Sequence, residues 1–220
     1  MPKGALLDVD GTLLDSNDAH ARAWVEVLAE EGVEVALERV RRMIGMGGDK
    51  LLPALTGIDA ESARGERIST RRKAIFAANH LPHLRPFEGA RALLERMRAA
   101  GLSLTVATSA GEDELAGLLE RAGLADLLRR RTSSDDAERS KPDPDIVEAA
   151  LAQAGLAPDD AIMLGDTPYD VAAAARAGVR CVAVRSGGWD DQALAGAIAV
   201  YQDTADLLAR FDDSAFAARR

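Results

Sequence analysis

The chain has 220 residues, of which 47% are hydrophobic and 29% are charged. This composition is typical of globular proteins and argues against an intrinsically disordered chain. The 36 acidic residues outnumber the 27 lysines and arginines, which gives a net charge of −9. A chain this acidic is poorly suited to the phosphate backbone of nucleic acids, so we expect no nucleic-acid partner.

The cysteine count and the distribution of apolar residues limit the cellular context. A single cysteine, Cys181, excludes an internal disulfide framework and a cysteine-rich zinc site. No apolar run approaches the ~20 residues that a membrane-spanning helix requires. Charged Asp8 and Asp10 leave no room for the apolar core of a secretory signal. We therefore predict a cytoplasmic protein without a membrane partner.

The first predicted element is a short buried strand that ends in two acids. Residues 4–10 are apolar at first and become acidic at the end, as expected of a parallel strand that leads into a functional loop. Since strand side chains alternate with a period of two, Asp8 and Asp10 can project to the same side. Gly11 then permits a sharp turn.

The next segment, residues 16–80, has helical periodicity throughout. Glycines and prolines mark its interruptions, and the prolines within residues 80–86 predict a linker, because proline disfavours helix in the residue before it. The predicted helices lie within residues 19–28, 37–44, 50–56 and 60–79.

Beyond the linker, helices and strands alternate. The predicted strands are residues 102–107, 131–133, 161–165 and 179–184, and the predicted helices are residues 88–100, 112–122, 144–154 and 168–177. This alternation implies βαβ units, right-handed crossovers and a parallel sheet. The helical segment is then an insertion after the first strand, at the sheet edge where ligands bind, and would cover the site as a lid.

Residues with chemical potential follow the carboxyl ends of the predicted strands. Each has a structural alternative, because Asp-Gly is a common turn, Thr and Ser cap helices, and acids favour helix N-termini. Together they provide a nucleophile, an acid and base, anion clamps and oxygen ligands for a hard cation, a set that suits phosphoryl chemistry. They are Asp8, Asp10, Gly11, Thr108, Ser109, Lys141, Asp166 and Asp170.

In their order along the chain, these segments resemble the four motifs of the haloacid dehalogenase superfamily. Residues 8–12 match its first motif, DxDGT, and Thr108 matches the second. Lys141, in a Lys-Pro-x-Pro setting, matches the third motif, and residues 165–170 match the fourth. The helical insertion resembles the small cap of the phosphoglycolate phosphatase and β-phosphoglucomutase branch.

The resemblance implies an α/β fold with two domains. Residues 1–15 and 81–220 would form a core with a Rossmann-like parallel sheet, and residues 16–80 would form a small all-helical cap. It also implies a small phosphorylated metabolite as substrate and Mg²⁺ as cofactor. We expect a monomer or a small homo-oligomer, with a cap position that the sequence does not specify.

The same resemblance assigns roles to individual residues. Asp8 would be the nucleophile that forms an aspartyl-phosphate, and Asp10 would protonate the leaving oxygen and then activate water. Phosphate and substrate would be held by Gly11, Thr108, Ser109, Lys141 and, from the cap, His20 and Arg72. The Mg²⁺ ligands would be Asp8, Asp10 through its backbone carbonyl, Asp166 and, as a secondary ligand, Asp170.

Residues that differ between branches of the superfamily indicate which reaction this chain catalyses. Asp10 favours phosphate esters, because the dehalogenases lack this second aspartate. His20, Arg22 and Trp24 resemble the first cap helix of β-phosphoglucomutases. By contrast, Gly165 before Asp166 resembles the phosphatases. We therefore predict a phosphatase. A β-phosphoglucomutase-like sugar phosphate mutase and a non-catalytic phosphate-sensing relative stay open as alternatives.

Overall fold

A parallel sheet forms the centre of the protein in the computed structural model, which describes residues 1–217. Its strands are β1 (Gly4–Leu7), β2 (Ser103–Ala107), β3 (Arg130–Thr132), β4 (Ala161–Gly165), β5 (Arg180–Val184) and β6 (Ala199–Tyr201). The spatial order is β3-β2-β1-β4-β5-β6, and each neighbouring pair is parallel. The first strand of the chain thus lies in the middle, between β2 and β4.

The described residues also contain nine α-helices. They are α1 (Asn17–Glu30), α2 (Leu37–Arg41), α3 (Gly48–Thr56), α4 (Ala63–Ile75), α5 (Ala90–Ala99), α6 (Glu112–Ala122), α7 (Asp145–Ala154), α8 (Pro168–Arg176) and α9 (Thr204–Ala209). Helices α1 to α4 lie between β1 and β2 in the chain and form the inserted helical cap. None of the nine is both long enough and apolar enough to cross a bilayer.

Both faces of the sheet are covered, which explains its uninterrupted apolar strands. In β1, Ala5 and Leu7 belong to the same hydrophobic core as Leu93 of α5. Leu6, between them, belongs to the core on the other face, with Val147 of α7. Successive side chains of a strand point to opposite faces, so a strand covered on both sides has to be apolar throughout.

The cap is joined to the core by two chain segments that run side by side. Leu14, on the way into the cap, forms an antiparallel bridge with Pro86, on the way out. The Asp15 amide donates to the Arg85 carbonyl at 3.0 Å, and the Phe87 amide donates to the carbonyl of Leu13, also at 3.0 Å. The two connections therefore enter and leave the cap at one place.

The architecture confirms the predicted α/β fold with an inserted helical cap, but the predicted linker is wrong in its first residues. Helix α4 continues as a π-helical turn, Phe76–His80, and a 3₁₀ turn, Leu81–His83. Pro82 fits because it lies in the first turn, where a missing N–H leaves no hydrogen bond unmade. The last three residues of the predicted core range 81–220 lie outside the described residues.

Candidate active site

The loop after β1 carries the first acidic residues to the carboxyl edge of the sheet. The Asp8 amide still pairs with the Leu164 carbonyl of β4, at 2.9 Å. The chain then turns at Gly11, whose φ of +79° lies in the left-handed region. A Cβ at Gly11 would lie 2.2 Å from Oδ2 of Asp166 and 2.1 Å from Nδ2 of Asn17. Glycine therefore lets the first and fourth motifs meet in direct contact.

Asp8 is buried between two donors. Its Oδ1 accepts from Lys141 Nζ at 2.6 Å, and its Oδ2 accepts from the Thr12 hydroxyl at 3.1 Å. Burial raises the pKa of Asp8 to about 7; the positive charge of Lys141 opposes this rise, while the charges of Asp170 and Asp10 add to it. The carboxylate form of Asp8 thus needs more positive charge than Lys141 supplies.

Asp166 lies at the end of β4 and completes the contact with the first motif. Its Oδ1 accepts from the Thr12 hydroxyl and its Oδ2 from Asn17 Nδ2, both at 2.9 Å. Burial raises the pKa of Asp166 well above its usual value, and the charges of Asp8 and Asp170 reinforce the rise. The Thr12 hydroxyl, which has one proton to donate, therefore lies within hydrogen-bond distance of the carboxyl groups of both Asp8 and Asp166.

Asp170 is held from two sides in the first turn of α8. Its Oδ2 accepts from the amides of Asp166 and Thr167, at 3.2 and 3.0 Å, in a capping box with Thr167. Its Oδ1 lies 2.7 Å from Lys141 Nζ. Burial alone would lower the pKa of Lys141, but Asp170 and Asp8 raise it above its usual value. Lys141 therefore stays a cation although it is fully buried.

The three carboxylates form a donor set that fits a divalent cation. Asp8, Asp166 and Asp170 each offer an oxygen within 4.8 Å of the others. Burial raises the pKa values of Asp8 and Asp166, and the repulsion between these carboxylates and Asp170 adds to the rise. Oxygen ligands of this kind are those that Mg²⁺ prefers. Asp170 Oδ2 accepts three hydrogen bonds from Asp166 and Thr167, whereas each oxygen of Asp8 and of Asp166 accepts only one.

Asp10 is turned away from this cluster and towards the cap. Its Oδ1 accepts from the Ser16 hydroxyl at 2.5 Å and lies 2.8 Å from His20 Nε2. Burial would raise the pKa of Asp10, but the charge and hydrogen bond of His20, with the hydrogen bond of Ser16, lower it below its usual value. Asp10 is thus an anion at neutral pH, and Ser16 and His20 at the start of α1 orient its side chain.

Two cap residues and one core residue close the site above Asp10. Arg72 of α4 lies over the ring of Trp24, 5.3 Å from its centroid. Its Nη1 donates to Glu114 Oε2 of α6 at 2.7 Å, and both side chains are largely buried. Arg71, its neighbour, is exposed and pairs with Glu30 on the outside of the cap. Of these two neighbouring arginines, Arg72 therefore lies in the cleft and Arg71 lies outside it.

Residues after β2 complete the wall opposite the cap. Thr108 is buried, and its hydroxyl accepts from the Ala110 amide at 3.1 Å. The Ser109 hydroxyl donates to the Gly45 carbonyl of the cap at 3.3 Å. A cavity of about 50 Å³ remains between cap and core, lined in part by Asp8, Asp10, His20, Arg72, Thr108 and Ser109.

The predicted site residues therefore divide into two layers. The first layer lines the cavity and consists of Asp8, Asp10, His20, Arg72, Thr108 and Ser109. The second layer, Lys141, Asp166 and Asp170, lies behind Asp8. Gly11 forms the turn after β1. Thr12, Ser16, Asn17 and Glu114 were not assigned from the sequence. A polar Ser-Asn pair that begins four residues after Thr12, the last residue of the DxDGT segment, was a usable signal for two of them. Glu114 gave none, since acids are ordinary in the first turn of a helix.

The comparison with family models identifies the chain. The model described as haloacid dehalogenase-like hydrolase matches residues 5–184, which include all four motif regions. The chain belongs to this family of hydrolases. It is a phosphatase of the family, as its relatives indicate.

Three relatives illustrate the similarity. A phosphoglycolate phosphatase of Rhodospirillum rubrum is 36% identical, over 94% of this chain and 90% of the relative. A validoxylamine A 7'-phosphate phosphatase of Streptomyces hygroscopicus subsp. limoneus is 29% identical, over 94% and 96%. The crystal structure of a hydrolase from Pseudomonas syringae superimposes with a TM-score of 0.89 at 34% identity, over 98% of this chain and 100% of the other.

Proposed function

We propose that this phosphatase hydrolyses a small phosphorylated metabolite, such as a sugar phosphate or phosphoglycolate, through an aspartyl-phosphate on Asp8 and with Mg²⁺ as cofactor. The convergence of Asp8, Asp10 and Lys141 beneath the cap carries the proposal. In this scheme residues 1–15 and 81–220 form the catalytic core, and residues 16–80 form the cap.

In the first step, a carboxylate oxygen of Asp8 attacks phosphorus and the bond from phosphorus to the leaving oxygen breaks. Asp10 gives its proton to that oxygen. The negative charge of an arriving phosphate raises the pKa of Asp10 and favours the protonated form that this step needs. Thr108 and Lys141 bind the phosphoryl oxygens, and Lys141 lies 2.6 Å from Asp8 Oδ1.

In the second step, water attacks phosphorus and Asp10, now a carboxylate, takes its proton. The bond between phosphorus and Asp8 breaks, inorganic phosphate leaves, and both aspartates return to their starting forms. Mg²⁺, held by Asp8, the Asp10 carbonyl and Asp166, would neutralise charge on the phosphoryl oxygens. Asp170 supports Lys141 in both steps through its 2.7 Å ion pair.

Cap residues define the surroundings of the leaving group. His20 and Arg72 face the cavity that contains Asp8 and Asp10. Arg72 is the cationic side chain that a polar or anionic leaving group would meet there. The relative named phosphoglycolate phosphatase supports a small anionic ester as the substrate class.

Phosphate release from a panel of phosphorylated metabolites, with and without Mg²⁺, tests the proposal. We expect Mg²⁺-dependent release from at least one ester and none with Asp8→Asn. The panel includes phosphoglycolate and β-glucose 1-phosphate, the latter with a glucose 6-phosphate readout. Glucose 6-phosphate without free phosphate would instead establish a mutase, and no turnover of any ester would favour a phosphate-sensing role.

The cytoplasmic location and the monomeric or small homo-oligomeric state stay predictions. Cell fractionation tests the first. Light scattering on the purified chain tests the second.

A further inference from the structure

The cap reaches the third motif through one residue, Ser140, which directly precedes Lys141. The Ser140 amide donates to Asp49 Oδ2 at 3.2 Å, and its hydroxyl donates to Asp49 Oδ1 at 2.5 Å. The same hydroxyl accepts from the Gly47 amide at 3.0 Å, and the Ser140 carbonyl accepts from Lys50 Nζ at 2.7 Å. Each polar group of Ser140, which is itself buried, is therefore bonded to cap residues 47–50.

The loop of residues 140–143 is also held at its other end, by one residue of the cap and one of the core. From the cap, Lys50 forms an ion pair with Asp143. Arg176 of α8 donates to the Pro142 carbonyl at 2.9 Å and to Asp143 Oδ1 at 3.0 Å. Residues 140–143 are thus clamped between α3 of the cap and α8 of the core.

Lys141 lies inside this clamp. Its side chain is fully buried, and Nζ contacts Asp8 and Asp170. The Cα atoms of Ser140 and Lys141 are joined by one trans peptide and lie about 3.8 Å apart, so a shift of Ser140 moves the base of the lysine side chain with it. Neither Asp49 nor Lys50 lines the cavity that contains Asp8.

We infer that Asp49 and Lys50 are positioning residues: through Ser140 they hold Lys141 in place to bind the phosphoryl group when the cap lies against the core. The inference rests on the proposed function, in which Lys141 clamps phosphate. It couples closure of the cap to the anion affinity of the core although neither Asp49 nor Lys50 lines the cavity that contains Asp8.

Binding of inorganic phosphate in the presence of Mg²⁺, measured by isothermal titration calorimetry, tests the coupling. Lys50→Met keeps the stem and removes the ammonium. Asp49→Asn replaces one of the two acceptors facing Ser140 by a donor. We expect each variant to bind phosphate about three- to tenfold more weakly, less than the full loss of a charge-assisted hydrogen bond, because the lost bonds act on phosphate only through the position of Lys141.

Tyr169→Phe is the matched control. The Tyr169 hydroxyl donates to the Arg42 carbonyl at 2.7 Å, so this variant also loses a hydrogen bond between core and cap, but one that does not involve Ser140. We expect its phosphate affinity to stay within twofold of wild type. An equal loss in Tyr169→Phe would overturn the inference, because any weakening of the cap contact would then suffice.

Ser140→Ala supplies a second test if Asp49→Asn or Lys50→Met unfolds. It removes the hydroxyl and keeps the amide and carbonyl bonds, so phosphate binding should weaken measurably while thermal unfolding shows a folded chain. Wild-type affinity in every folded variant would overturn the inference and leave the proposed function intact. Absence of phosphate binding by the wild type would overturn both.

Discussion

The crowded carboxylates beside Lys141 make the stability of the metal-free protein depend on pH. Burial raises the pKa of Asp8 from 3.8 to about 7. Between these values the folded chain binds a proton that the unfolded chain has released. The free energy of unfolding therefore falls as the pH rises through this range. Asp166, whose pKa is also raised by burial, contributes with the same sign.

The size of the effect follows from the shift. A shift of about three units, at about 1.4 kcal/mol for each unit, makes the contribution of Asp8 on the order of 4 kcal/mol. This contribution is present below pH 4 and absent above pH 7. A divalent cation among the carboxylates favours their charged forms, so Mg²⁺ should stabilise the fold more at pH 7.5 than at pH 5.

Chemical denaturation at pH 5 and pH 7.5, in EDTA and in Mg²⁺, measures the effect. Asp8→Asn is the control, because an amide keeps the shape and does not titrate. In EDTA, the unfolding free energy of wild type should be lower at pH 7.5 than at pH 5. For Asp8→Asn this decrease should be smaller by a few kcal/mol. The reasoning is refuted if Asp8→Asn keeps the pH dependence of wild type, or if Mg²⁺ stabilises wild type equally at both pH values.

Four substitutions test other parts of the site. Asp8→Asn should abolish phosphate release while circular dichroism shows the native fold, and retained turnover would disprove the nucleophile. Asp166→Asn should raise the Mg²⁺ concentration for half-maximal activity more than tenfold; an unchanged metal titration would exclude it as a ligand. Arg72→Ala should change the order of kcat/KM values across the ester panel, and an unchanged order would place Arg72 outside substrate recognition. Gly11→Ala should lower the unfolding free energy by clearly more than the roughly 1–2 kcal/mol expected for the control, Gly101→Ala. Both glycines have positive φ, but only at Gly11 would the added methyl group meet neighbouring atoms. Equal losses in the two variants would contradict the close contact between Gly11 and the fourth motif.

Local chemistry made much of this fold predictable. Buried strands such as residues 161–165 are continuous apolar runs, and the helices between them carry a stripe such as Leu115, Leu118 and Leu119 at helical spacing. Glycine and proline mark the boundaries. Pro82 shows one limit of this logic, because a proline in the first turn of a new 3₁₀ segment does not end a helical region. Strand β6 and helix α9 were not among the predicted elements.

The candidate site was predictable where a charged residue occupies a distinctive position in the sequence. Asp8, Asp10 and Lys141 stand out because acids and a lysine directly follow apolar runs or precede a helix. Thr12 and Glu114 do not stand out, because their importance arises from partners 154 and 42 positions away in the chain. Such long-range pairs depend on the packed structure and leave no local pattern.

The paired connections between cap and core have an evolutionary consequence. Because Leu14 and Pro86 lie bridged side by side, the ends of the inserted segment meet at one point of the core. A segment with adjacent ends can be exchanged for another of different length without altering the register of β1 with β2 and β4. In the proposed function, the core breaks the bond and the cap contributes to substrate choice, so selection could replace the second part while it preserves the first.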